Sequence, residues 1–86
     1  MKVVEDKEFR KDKKRSIKRH KDQEKLKEVI IKLSNGEKLP EKYHDHILQG
    51  SHYRECHIEP DWLLVYKIEG DTLFLAGTGS HADLFG

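Results

Sequence analysis

Tyr53-Arg54-Glu55-Cys56-His57-Ile58, Glu59-Pro60-Asp61, Trp62-Leu63-Leu64-Val65-Tyr66-Lys67-Ile68, Glu69-Gly70-Asp71 and Thr72-Leu73-Phe74-Leu75-Ala76 follow one another without a gap. Short segments rich in β-branched and aromatic residues alternate with clusters of turn residues, which is the signature of strands joined by tight turns. Gly70-Asp71 lies between two of the strongest segments and reads as a hairpin turn. The stretch therefore predicts three consecutive antiparallel strands. Ile47-Leu48 before Gly50-Ser51 offers a further short strand. Gly77-Thr78-Gly79 closes the run, and Ser80-x-x-Asp83 can then cap a final turn of helix anchored by Leu84 and Phe85.

Upstream of this run the pattern is helical. Leu26, Val29, Ile30 and Leu33 recur at i, i+3, i+4 and i+7, which puts all four on one stripe of a helix. Asp22 stands as its N-cap, and Ser34-Asn35-Gly36 with Pro40 beyond ends it. An earlier helix is expected after Asp6, another N-cap, with Glu8 in its first turn. Between Arg10 and Lys25 the only aliphatic residue is Ile17, and Phe9 and Ile17 are expected to share the buried face. Lys2 to Glu5, with Val3 and Val4, supplies an initial strand. The order strand, helix, helix, strands predicts an α+β fold: a helical hairpin on one face of a small, mainly antiparallel sheet whose other face stays open.

Eighty-six residues make one domain, 1–86, and only 35% are hydrophobic. A chain this short removes roughly 60 to 65% of its unfolded surface from water, so a partner covering apolar surface would add stability. The net charge of +1 hides a division: residues 1–43 hold 15 Lys and Arg against 9 acids, whereas residues 44–86 hold 2 against 7. A basic front half suits a polyanion, because neutralised phosphates release counterions. No apolar run approaches the ~20 residues of a membrane span, and the N-terminus has no signal-like apolar region. Cys56 is the only cysteine, so no internal disulfide forms and a cytoplasmic location is expected.

Five of the six histidines lie in the acidic half. Strand alternation sets Arg54, Cys56 and Ile58 on one face and Tyr53, Glu55 and His57 on the other. Cys56 and Ile58 belong to the core, so His57 projects from the open face with Asp61 just past the turn. His44, Asp45 and His46 could ligate a metal, yet neither a Cys-x-x-Cys nor a helical His pair is present, and no metal or cofactor is expected. His44 itself reads as plainly exposed. Gly77-Thr78-Gly79-Ser80-His81 lacks the spacing and lysine of a P-loop. His81 and Phe85, four apart, share a face of the terminal helix. Imidazoles, one or two carboxylates and a basic helix suit RNA cleavage, in which a base takes the 2′-hydroxyl proton and an acid protonates the departing 5′ oxygen.

Three strings carry a resemblance: Asp45-His46-Ile47-Leu48-Gln49-Gly50, the run from Tyr53 to Ile68 with Cys56-His57-Ile58-Glu59-Pro60-Asp61-Trp62 at its centre, and Thr78-Gly79-Ser80-His81-Ala82-Asp83-Leu84-Phe85. They resemble the YafQ branch of the RelE/ParE toxin superfamily. The resemblance implies a microbial-RNase-type fold and a toxin of a type II toxin–antitoxin pair that cleaves mRNA in the ribosomal A site. Its partners would be a cognate antitoxin, the ribosome and mRNA, with operator DNA reached only through the antitoxin. By the same matching His46, His57, Asp61 and His81 fall on catalytic positions, His81 being the favoured proton donor and Asp61 an orienting or base-assisting group, while Phe85 and Trp62 fall near the substrate.

Two departures stand out. Where the family usually reads Arg-Thr-Gly-Ser-His this chain has Gly77, so a guanidinium expected on the scissile phosphate is missing, a loss of the order of 10² to 10³ in rate. The loop carrying Ser51 and His52 is also two residues shorter than is common. Two rival expectations remain: a ParE-like gyrase inhibitor, and a non-catalytic binding module acting with its antitoxin in repression.

Overall fold

Asp6 opens the first helix as the sequence demands, its carboxylate accepting from the Glu8 amide at 3.0 Å, and Asp22 does the same for the second helix through the Glu24 amide. The computed structural model describes residues 1–86. In chain order it contains β1 (Lys2–Glu5), α1 (Lys7–Lys18), α2 (Gln23–Ser34), a 3-10 turn (Glu41–Tyr43), β2 (His46–Ile47), β3 (Arg54–Glu59), β4 (Trp62–Glu69), β5 (Thr72–Gly79) and α3 (His81–Phe85). The strands form one sheet in the order β1-β5-β4-β3-β2. All neighbours are antiparallel except β1 and β5, which run parallel with Val3 opposite Leu73. The architecture is the expected α+β layer.

The core is where the helical and strand periodicities meet. Phe9 of α1 and Leu26, Val29 and Leu33 of α2 pack with Cys56, Leu64, Tyr66, Leu73 and Leu75 of the sheet, and Leu39 and Tyr43 close one end. Burying each leucine contributes roughly 1.5–3 kcal/mol against exposure. Cys56 lies wholly inside, and burial pushes its thiol up to about 12, so it behaves as a small apolar residue.

Ile17 departs from expectation: it is half exposed, while the inward stripe of α1 is Phe9, Asp12 and Ser16. Eight residues make about 2.2 turns of helix, which rotates Ile17 away from Phe9. Asp12 tolerates the inner position because its two oxygens meet the Thr78 amide and Arg15 Nη2, both at 3.2 Å.

The ladder breaks twice. Ile58 is the extra residue between the His57–Leu63 and Glu59–Trp62 pairs, and Ala76 between the Leu75–Tyr66 and Gly77–Val65 pairs. Bulges bend a strand and re-aim its side chains. The first lies directly beside His57. The second lies on β5, which runs on through Gly79 rather than stopping at Ala76, because Gly77, Thr78 and Gly79 pair with Val65, Leu64 and Leu63.

Candidate active site

Three elements bring the imidazoles together. His57 leaves β3 at the bulge, His46 opens β2 beside it in register with Glu55, and His81 is the first residue of α3. The His57 ring centroid lies 5.5 Å from His44, 6.5 Å from His46 and 5.8 Å from His81. His44, His46 and His57 line a cleft of about 740 Å³, with Lys25 and Lys42 also on its wall. His44 reaches it because its backbone is left-handed, with φ +47°.

Hydrogen bonds orient each ring. Asp61 Oδ1 lies 2.7 Å from His81 Nδ1 and also accepts the His81 amide at 3.0 Å. Those two contacts, the backbone one first, hold the Asp61 carboxyl below its ordinary range. His46 Nδ1 lies 2.8 Å from the His44 carbonyl, to which it donates, so Nε2 is the nitrogen that bond leaves available. His57 lies between the Pro60 carbonyl, 3.3 Å from Nδ1, and Glu55 Oε1, 3.5 Å from Nε2. When protonated, that ring can donate from both nitrogens.

Glu55 is the residue that sequence reasoning missed. Its carboxylate is buried, 5% exposed, and also lies 3.9 Å from His46 Nε2. The signal was available: strand alternation puts Glu55 on the face of His57. Ligand atoms of Glu55, His57 and His81 all lie within 4.8 Å of one another. A carboxylate and two imidazoles fit a divalent transition ion. The set was invisible at the sequence level because it joins β3 to α3 across the fold.

Trp62, expected near the substrate, is 1% exposed and belongs to the core. Its indole N–H donates to Thr78 Oγ1 at 2.9 Å, and that hydroxyl donates to the Leu63 carbonyl at 2.6 Å. Burial with every polar atom satisfied leaves it no face for a ligand. Phe85, by contrast, is 55% exposed. Gly77 has ordinary negative-φ backbone, and a Cβ there would meet Asp12 Oδ2 at 3.2 Å and Leu84 Cδ2 at 3.3 Å. A side chain at 77 thus starts in the seam between α1 and α3.

The model of a family described as the bacterial toxin of a type II toxin–antitoxin system, YafQ, matches residues 1–86. The chain belongs to the YafQ family. The mRNA interferase toxin YafQ of Escherichia coli K12 is 49% identical over 82 residues, covering 92% of this chain and 89% of that protein. The toxin also superposes on a chain of the crystal structure of the E. coli DinJ–YafQ toxin–antitoxin complex, with TM-score 0.91, 46% identity and coverage of 98% and 96%. A metal-bound toxin from Helicobacter pylori gives TM-score 0.93 at 42% identity, covering 99% of each chain. No helix of this YafQ-family toxin is long and apolar enough to cross a membrane.

Proposed function

We propose that this toxin cleaves mRNA on the ribosome by acid–base catalysis, with no metal or cofactor taking part, and that a cognate antitoxin restrains it. The observation that carries the reading is the grouping of His46 and His81 about His57, their ring centroids 6.5 and 5.8 Å from it, with Asp61 seated on His81. His46, in its neutral form and through the Nε2 that the Nδ1 bond to the His44 carbonyl leaves available, takes the proton of the ribose 2′-hydroxyl. The 2′ oxygen then bonds to phosphorus, the bond from phosphorus to the 5′ oxygen breaks, and protonated His81 delivers its Nε2 proton to that oxygen. The products are a 2′,3′-cyclic phosphate and a 5′-hydroxyl end. Asp61 stabilises the imidazolium of His81 before transfer and fixes the tautomer afterwards, as the carboxylate of a catalytic triad does.

Charge on the phosphorane needs a cation. His57, when protonated, can supply it, with Nε2 3.5 Å from Glu55 Oε1 and Nδ1 3.3 Å from the Pro60 carbonyl. Phe85, exposed one turn past His81, offers a stacking face to a base. The basic front half of the chain suits rRNA, and Gly77 in place of the family's arginine attenuates the rate. The DinJ–YafQ complex supports an antitoxin partner, through which alone operator DNA is reached, and a buried unpaired Cys56 suits the cytoplasm. Primer extension on a reporter mRNA with and without ribosomes tests the reading. Specific cuts are expected only with ribosomes, and lost in His81→Ala and His57→Ala. If both variants arrest growth as strongly as the parent chain, catalysis is not the activity. Inhibition of DNA gyrase supercoiling by the purified toxin would favour the ParE-like alternative instead.

A further inference from the structure

α3 is five residues long and buries none of them fully, yet it carries His81 and Phe85. So short a helix has no stability of its own. Its place is set from outside. The capping box, in which Ser80 Oγ accepts the Asp83 amide and Asp83 Oδ2 accepts the Ser80 amide, shapes the turn but ties it to no other element. Asp61 reaches α3 from the exposed β3–β4 turn and is itself engaged in the chemistry. Leu84 is a half-buried apolar contact above Gly77, without directional preference. The remaining attachment comes from α1, at whose C-terminal cap Arg19 sits. Arg19 Nη1 lies 2.6 Å from Asp83 Oδ2 and Nη2 lies 3.2 Å from Oδ1, a two-pronged fork.

The geometry points to Arg19 as a positioning residue for His81: its fork on Asp83 fixes the roll of α3 over the sheet, and with it the direction in which the His81 imidazole meets the RNA. The inference rests on the nuclease reading above. α1 is a firm base for such a fork, because Phe9 anchors it in the core. A second arginine secures the strand end from which α3 springs: Arg15 Nη2 donates to the Thr78 carbonyl at 3.3 Å and to Asp12 at 3.2 Å, and its Nε lies 3.8 Å from Asp83. Arg19, followed by the Ser80 amide, holds the Asp83 carboxyl far below its ordinary range, so the fork stays charged wherever imidazoles titrate. Arg19 is half exposed, and such pairs add little to global stability. The fork orders one short helix, and the rest of the fold stands without it.

The test compares Arg19→Ala, Arg19→Lys and, as a control that removes a different α1 cation, Arg10→Ala. Backbone order parameters of residues 81–85 are measured by ¹⁵N relaxation, and kcat and KM on mRNA-programmed ribosomes. In Arg19→Ala the α3 order parameters should fall from about 0.85 towards 0.6, and kcat should fall about 10- to 100-fold at nearly constant KM, since a misplaced catalytic group costs up to ~10². Arg19→Lys, charged but unable to fork, should recover part of both losses. Arg10→Ala should leave α3 ordered. The inference is overturned if α3 stays ordered in Arg19→Ala, or if KM rises while kcat holds, which would make Arg19 an RNA contact. Should the parent toxin not cleave at all, the nuclease reading fails, and the order parameters still decide whether the fork holds α3.

Discussion

Removing one hydroxyl, by Tyr66→Phe, probes how the sheet core holds the histidine segment. Tyr66 is 1% exposed, and its hydroxyl donates to Asp45, 2.8 Å from each carboxylate oxygen. Burial first and the Asp45 carboxylate second push the Tyr66 phenol far above its ordinary value, so it is a donor at every relevant pH. Asp45 lies between His44 and His46, and its remaining side-chain partner is Arg54 Nε at 3.2 Å. A hydrogen bond to a charged group contributes about 1.5–3 kcal/mol. Phenylalanine keeps the ring packing, and Arg54 stays on the carboxylate, so the loss should fall near the lower end, ~1.5–2 kcal/mol. With a urea m-value of about 1 kcal/mol/M for so small a chain, the midpoint should drop by roughly 1.5–2 M. Asp45→Ala in the Tyr66→Phe background should then cost much less than Asp45→Ala alone, because the two residues share one interaction. A loss below ~0.5 kcal/mol, or strictly additive losses, would refute the idea that this bond ties the His44–His46 segment to the core.

Gly77→Arg requires Leu84 and the buried Asp12 Oδ2, which holds the Thr78 amide, to give by a few tenths of an ångström; where thermal unfolding shows the variant folded, ribosomal cleavage should rise by about 10² at most, and a chain that folds but cuts no faster removes a side chain at 77 from phosphate binding. Zinc should stop cleavage by occupying Glu55, His57 and His81, and chelator should restore it; unchanged cutting at saturating zinc, with binding shown by calorimetry, would mean that these groups are not the reacting ones. The Asp83 carboxyl is held below its unfolded value by Arg19, so its contribution is present above about pH 4 and is lost as pH falls through the folded value. Asp83→Asn should accordingly remove the acid-induced loss of α3 order between about pH 4 and pH 2, followed by ¹⁵N relaxation of residues 81–85; an unchanged acid profile would show that other carboxylates govern it.

What was legible in the sequence was whatever repeats with a period. The stripe Leu26, Val29, Ile30 and Leu33 gave α2, and alternation gave the core side of β3, with Cys56 and Ile58 inside. Caps at Asp6, Asp22 and Ser80 were readable because each needs only its own next turn. The errors have two causes, one local and one distant. Ile17 turned outward because eight residues make about 2.2 turns of helix, while the inward place of Asp12 was hidden because its partner, the Thr78 amide, lies 66 residues away. β5 ran past its glycines because Leu63, Leu64 and Val65 were there to pair with them.

The same distinction divides the site. Asp61 and His81 were recognisable one by one from strings of the YafQ type, but their joining at 2.7 Å spans 20 residues and needs β4 and β5 to return the chain. Trp62 belongs to those strings too, and it serves the site indirectly, by holding Thr78 and so the strand that delivers α3. A motif preserves residues that act together without saying which of them touch the substrate. Depth separates the two sorts here: His46, His81 and Phe85 are exposed, His57 half-buried, and Trp62 and Glu55 buried. Glu55 is the case in which depth and chemistry combine. A carboxylate enclosed 3.5 Å from His57 and 3.9 Å from His46 can neither leave nor be hydrated freely, so it constrains where both imidazoles sit.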